Sequence, residues 1–201
     1  MRSFLGTLML AVCLAACSTE SGRLNEVTIH PDAPPIAPFS ECHVTTAYEP
    51  SYGADHVAVC DPLTPIAFPP TSGTHFSSWA DFGTYDAPVP WGFLVHAMEH
   101  GAVVVGYRCT SDCPEVVAAL QAAIDAQPVD PLCRGDDAAR FILTPMPDLN
   151  DAIAVLAWER VYLATCLDRP SMEAFMTEHY AQGPEDFCTP GTDRSASGWC
   201  P

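Results

Sequence analysis

Ten cysteines in a chain of 201 residues constrain this protein more than any other feature. Cys13 falls inside an apolar leader and Cys17 at its end. That leaves Cys42, Cys60, Cys109, Cys113, Cys133, Cys166, Cys188 and Cys200. An even set in an exported chain predicts up to four disulfides among about a hundred connectivities. Spacing narrows the choice a little. Cys109 and Cys113 are close enough to close a small loop, or either reaches elsewhere, for example to Cys133. Cys188 and Cys200 flank a Gly/Ser/Thr-rich tail and suit each other, and Cys42 and Cys60 flank the first loop. No CxxC pair occurs, so neither a thioredoxin-like redox pair nor a cysteine zinc site is indicated. Structural stapling is the expected role.

The leader sets the compartment. Arg2 supplies a positive n-region, and Phe4 to Ala16 is apolar but too short to span a bilayer. Leu14-Ala15-Ala16-Cys17 resembles the lipobox of bacterial lipoproteins. The resemblance implies that residues 1–16 are a signal peptide and that Cys17 is lipidated and becomes the mature N-terminus. Its acyl chains would then hold the protein to a membrane. Ser18 after the cysteine resembles the outer-membrane sorting pattern, so the expected location is the outer membrane, facing the periplasm. Residues 17–40 are polar and proline-rich and are expected to form a flexible tether. Residues 41–201 suffice for a single domain with its own core.

Charge excludes some partners. Eight arginines and no lysine stand against 25 acidic residues, a net charge of −17. Such a field repels nucleic acid and anionic lipid and favours cations. The absence of lysine removes Schiff-base chemistry.

The first half reads as loop-rich, with short strands at Cys42–Ala47 and His56–Cys60 broken by Pro50 and Gly53. Pro69-Pro70-Thr71-Ser72-Gly73-Thr74 forbids a helix and presents His75 from a turn. Leu94–His100 is expected to be a short helix ended by Gly101. A buried strand follows at Ala102–Tyr107. Pro114–Ala126 is an amphipathic helix with Pro114 at N1. Strands are expected at Arg140–Thr144 and Ala152–Glu159, and Val161–Cys166 either continues the latter or returns. Ser171–Tyr180 is a helix capped by Ser171. The expected class is α+β: a small mixed sheet with helices on one face, in βαββα order, stapled by disulfides.

The chemistry concentrates in His96-Ala97-Met98-Glu99-His100. Imidazoles at i and i+4 share one face of a helix and can share one metal ion. His-x-x-Glu-His superficially matches the inverted zincin motif, but Gly101 and a strand end this helix at once. No downstream helix offers an evident third acidic ligand, which argues against a peptidase. Hydrogen-bonded core histidines are the competing reading. Neutral imidazole suits zinc or copper. Glu99 reads best as an acceptor behind the ligands, because it neighbours His100 and points elsewhere. It becomes a candidate general base only if the protein is an enzyme. His30, His43 and His179 read as solvated or structural. Met98, Met146, Met172 and Met176 make copper(I) a minor alternative, since thioethers are soft ligands, but Met98 lies opposite His96 on the helix and Met172 and Met176 look like core packing.

Further blocks carry a resemblance. Gly53-Ala54-Asp55-His56-Val57, PPTSGTH, GTYDAPVP, VHAMEHGAVVVGY, Trp158 in IAVLAWER and the tail from Gly183 to Thr192 resemble the bacterial domain-of-unknown-function family numbered 3105. The similarity covers about residues 48–192, and the VHxxEHGxVV block is its most specific part. The resemblance implies an exported or membrane-anchored bacterial protein, with recurring histidines at His56, His75, His96 and His100 and Glu99 between the last two. In that family a cysteine is common just before the Gly-x-Tyr-Asp turn. Phe82 stands there in this chain, which implies that Cys188 pairs with one of the extra cysteines.

Two functions of different class fit. One is a lipid-anchored domain that binds a transition metal through His75, His96 and His100, with His56 as a fourth ligand. The other is an envelope interaction module that docks a partner on the aromatic loop 69–93, with Trp79, Phe82, Tyr85, Trp91 and Phe93. A metal-dependent hydrolase is a third, without a GxSxG, a free thiol beside histidine or paired carboxylates to support it.

Overall fold

Strands that are apolar at every position need cover on both faces, whereas one solvated face would leave every second residue polar. The central strands here are of the first kind. The computed structural model describes residues 22–134 and 138–200. The leader and Cys17 lie outside the described residues. Strands β1 (Leu24–Ile29), β2 (Val44–Tyr48), β5 (Gly83–Thr84), β6 (Val103–Tyr107), β7 (Phe141–Pro145), β8 (Ile153–Ala157) and β9 (Arg160–Ala164) form one sheet in the order β1-β2-β9-β8-β6-β7-β5. The β6–β7 and β7–β5 pairs are parallel and the others antiparallel. The mixed α+β class expected from the sequence is present.

The period of two divides the core. Val103, Val105, Leu143, Ile153, Val155 and Tyr162 face one layer, with Leu120 and Ala123 of α2 (Pro114–Asp125) and Met172, Phe175 and Met176 of α3 (Arg169–His179). Val104, Ile142, Ala154, Leu156, Val161 and Leu163 face the other. There they meet Phe93, Leu94, Ala97 and Met98 of α1 (Trp91–Glu99) together with the loops of the first half. The helical layer on one face thus consists of α2 and α3, and α1 lies on the opposite face. Residues 153–164 hold a hairpin, not one long strand: Glu159, at φ 57°, closes a two-residue turn between β8 and β9. That turn brings Trp158 onto the α1 side.

Three expectations are corrected. The stretch 17–40 is not a tether over its described part, because Leu24–Ile29 pairs antiparallel with β2 and Pro35 bridges Cys166. As an edge strand it is exposed at every position, so no hydrophobic periodicity announced it. The disulfides are Cys42–Cys166, Cys60–Cys200, Cys109–Cys113 and Cys133–Cys188. Only the Cys109–Cys113 pairing matches the spacing argument, since the others join residues 55 to 140 positions apart. The cap of α3 is Asp168, whose Oδ2 accepts the Ser171 N–H at 3.3 Å.

Among the described residues no helix is long and apolar enough to cross a membrane. Two disulfides tie down the chain after α3. Cys133–Cys188 joins it to the segment following α2, and Cys60–Cys200 joins its end to the loops around a small parallel pair, β3 (His56–Val57) and β4 (His75–Phe76).

Candidate metal centre

Local pairing brings the first two histidines together. In the β3–β4 register His56 lies beside His75, which aligns their side chains, and their rings sit 4.6 Å apart. The next residue, Phe76, points the other way and packs on Phe93 at 5.0 Å. Gly92 permits this approach, because a Cβ there would come within 2.5 Å of the Phe76 ring. Phe76 thereby anchors β4 to α1, and its carbonyl oxygen accepts a hydrogen bond from His96 Nδ1 at 2.6 Å.

On α1, His96, Glu99 and His100 follow the i, i+3, i+4 spacing of one helix face. This is why Glu99 joins the histidines instead of standing behind them. Its Oε2 lies 3.3 Å from His56 Nε2, 3.1 Å from His75 Nε2 and 3.9 Å from His96 Nε2. The donor atoms of His56, His75, His96 and Glu99 all fall within 4.8 Å of one another. Adjacent ligands of a tetrahedral ion with bonds near 2.0–2.1 Å are about 3.3 Å apart, the size of the Glu99 distances to His56 and His75, so the group could hold one ion after small shifts of the rings. His100 is placed differently. Its Nε2 faces His96 Nε2 and Glu185 Oε2, each at 3.2 Å, and with Glu99 and Glu185 it forms a second overlapping group.

Hydrogen bonds determine what the rings present. His75 Nδ1 donates to the Gly73 carbonyl at 2.8 Å, as His96 Nδ1 does to Phe76. A carbonyl only accepts, so both Nδ1 atoms carry a proton, and in its neutral form each ring turns an Nε2 lone pair to the centre. There they meet a carboxylate oxygen. Acceptors facing one another at these distances repel unless a cation, either a proton or a metal, lies between them.

His75, His96, Glu99 and His100 are all buried, while the His56 side chain is 45 % exposed and forms the solvent side. Burial holds His96 below the ordinary histidine range, assisted by the neighbouring rings of His75 and His56 and opposed by the Phe76 carbonyl and Glu99. His100 is pushed down to about 3 by burial first, then by His96, His75, His56 and Arg140. Both rings are therefore neutral at ordinary pH, the form that ligates metals. The walls are aromatic: Trp79 lies 5.1 Å from His96 and 4.5 Å from His100, Phe187 lies 3.9 Å from His100, and Trp158 lies 6.3 Å from His75.

The end of α1 is built to hold this arrangement. Gly101, at φ 85°, ends the helix as its sequence suggests. Buried Arg140 donates to the His100 carbonyl and to Asp186 at 2.8 Å each, and to Asp130 at 2.9 Å. Glu185 was not anticipated from the sequence. It arrives from the segment after α3, whose backbone is pinned by Glu185 N–H to the Glu99 carbonyl at 3.0 Å and Ala181 N–H to the Gly101 carbonyl at 2.9 Å. The one available signal was its place in the Gly183–Thr192 block that carried the family resemblance. Among the remaining histidines, His43 lies 3.5 Å from Asp151 and His179 packs on Phe175, both away from the cluster.

The aromatic loop is spent on packing. Phe93 and Tyr85 are buried, Trp199 packs against both at 5.0 and 5.3 Å with tilted and edge-on rings, and Trp79, Phe82 and Trp91 are partly buried against the same core.

No curated protein and no solved structure matches the chain. One family model does match, over residues 56–192, a span that opens on His56 and contains every member of the cluster. The chain therefore belongs to the family described as protein of unknown function DUF3105.

Proposed function

We propose that this protein is an extracytoplasmic metal-binding domain, lipid-anchored through Cys17 to the outer membrane and facing the periplasm. His56, His75, His96 and Glu99 would hold a divalent transition metal, zinc or copper. One observation carries the reading: the Nε2 atoms of His75 and His96, whose rings are oriented by carbonyl acceptors at Nδ1, converge with a buried carboxylate oxygen. Orientation of metal-binding imidazoles by a hydrogen bond from the far nitrogen is the usual arrangement at metal sites. On this reading Glu99, whose Oε2 lies among the same donor atoms, would be a direct ligand and not only a supporting acceptor. Four disulfides support an oxidising compartment. With four protein donors around one ion the site is closed, which favours binding or storage over hydrolysis. Among the described residues the aromatics of loop 69–93 are buried or partly buried against the core, which gives the interaction-module reading little support.

The test is elemental analysis of protein purified without a polyhistidine tag. Stoichiometric metal that is lost in His75→Ala and His96→Ala is the expected result. Metal-free protein, unchanged when zinc or copper is supplied, would mean that protons hold the cluster together. The anchor has its own test: a fatty-acid analogue labels the wild type and fails to label Cys17→Ala.

A further inference from the structure

The two donor groups overlap at a single residue. His56, His75, His96 and Glu99 form one, and Glu99, His100 and Glu185 the other. Donors trans to one another on an ion with bonds near 2.1 Å lie about 4.2 Å apart, so residues that fall outside a common 4.8 Å set cannot all serve one ion. His100 is a costly residue to place where it is. It is 2 % exposed, its ring is enclosed by Trp79 and Phe187, and its Nδ1 is buried with no hydrogen-bond partner among the described residues. Its only polar outlet is Nε2, which faces His96 Nε2 and Glu185 Oε2 at 3.2 Å each. A single N–H can satisfy only one of those two acceptors. With His96 Nε2 engaged by an ion at the first group, a second cation held by His100 Nε2 and Glu185 Oε2, with Glu99 beside them, satisfies both remaining atoms. Glu185 is itself placed, not loosely mobile on the surface, because its backbone N–H is bonded to the Glu99 carbonyl.

We propose that the centre takes two divalent transition-metal ions, with Glu99 as the shared carboxylate, His56, His75 and His96 completing the first position, and His100 and Glu185 completing the second. The proposal rests on the metal-binding reading above and extends it. The first position has four protein donors and is closed. The second has three, which leaves room for a water or a small anionic ligand, the condition that distinguishes a reactive metal position from a structural one. Glu185 is 52 % exposed at its side chain, so this open position lies on the solvent side of the cluster. The chain's charge of −17 favours concentrating two cations there.

The experiment is equilibrium dialysis of the tag-free full chain against zinc, followed by elemental analysis, on the wild type and on Glu185→Gln. Circular dichroism of each protein checks that the fold is retained. The expected result is two zinc ions per wild-type chain and one per Glu185→Gln chain, with the remaining ion lost in His75→Ala. Copper(II) loading supplies a second readout. Two adjacent coppers couple magnetically and broaden or silence the wild-type resonance, and Glu185→Gln restores an isolated-copper spectrum. One zinc per chain in both proteins overturns the second position and leaves the first standing. No zinc in either protein overturns the metal reading as a whole.

Discussion

Gly183 lies so close to the last turn of α1 that a Cβ on it would sit 2.3 Å from the Glu99 carbonyl oxygen and 2.6 Å from the Gly101 nitrogen. No side chain fits between these two backbones, so the segment carrying Glu185 and Asp186 can dock only with glycine at this place. Gly183→Ala is predicted to push that segment outward and to cost about 1–3 kcal/mol, as overpacking does elsewhere. Urea unfolding reads the loss. An unchanged midpoint would mean that the segment is not held against the helix.

The buried guanidinium of Arg140 ties four elements together, through Asp130, Asp186, the His100 carbonyl and the Tyr180 hydroxyl that donates to Asp130. Arg140→Met leaves the Asp130 carboxylate buried without its cation. Breaking a buried pair from one side costs about 3–5 kcal/mol, and the same loss is expected in denaturant unfolding. A loss below about 1 kcal/mol would show that water replaces the guanidinium.

Asp130 also predicts a response to acid. Burial raises its carboxyl pKa, but the Leu132 N–H, the Tyr180 hydroxyl and Arg140 outweigh burial and hold it below the ordinary aspartate value. A carboxyl depressed in the folded state contributes stability that is fully present above its unfolded pKa and is lost as pH falls through the folded one. The stability difference between wild type and Asp130→Asn is therefore expected to be largest near neutrality and to shrink as the pH drops below the ordinary aspartate range. A difference independent of pH would contradict this.

Much of this fold is legible in the sequence where the signal is local. Helix α1 and its stop at Gly101, Pro114 at the start of α2, and the continuous apolar strands follow from periodicity and from residue-specific backbone preferences. What was not legible depends on distant partners. β1 is exposed at every position and exists only because β2 offers it an edge. Cys60 and Cys200 pair across 140 residues, a choice that no spacing rule makes. The site divides in the same way. Two histidines and Glu99 on α1 are visible as helical neighbours, and the resemblance adds His56 and His75. That Glu99 shares their direction follows from its i+3 position. The departure of His100 toward Glu185 needed the folded tail.

The Cys133–Cys188 disulfide closes over 55 residues and anchors the tail three positions after Glu185. Replacing both cysteines by serine is predicted to lower stability by about 2–4 kcal/mol. It should also weaken binding at the His100–Glu185 position more than at the His56–His75–His96 position. Equal loss at both would mean that the tail does not depend on this staple.

X-ray absorption at the zinc edge of the loaded, tag-free protein tests the central claim most directly, because it reads the ligands themselves. The account predicts a first shell of nitrogen and oxygen near 2.0–2.1 Å, the outer-shell scattering of imidazole rings and no sulfur, with the imidazole signal reduced in His96→Ala. A shell of oxygen alone without ring scattering, or the same spectrum in wild type and His96→Ala, would contradict it.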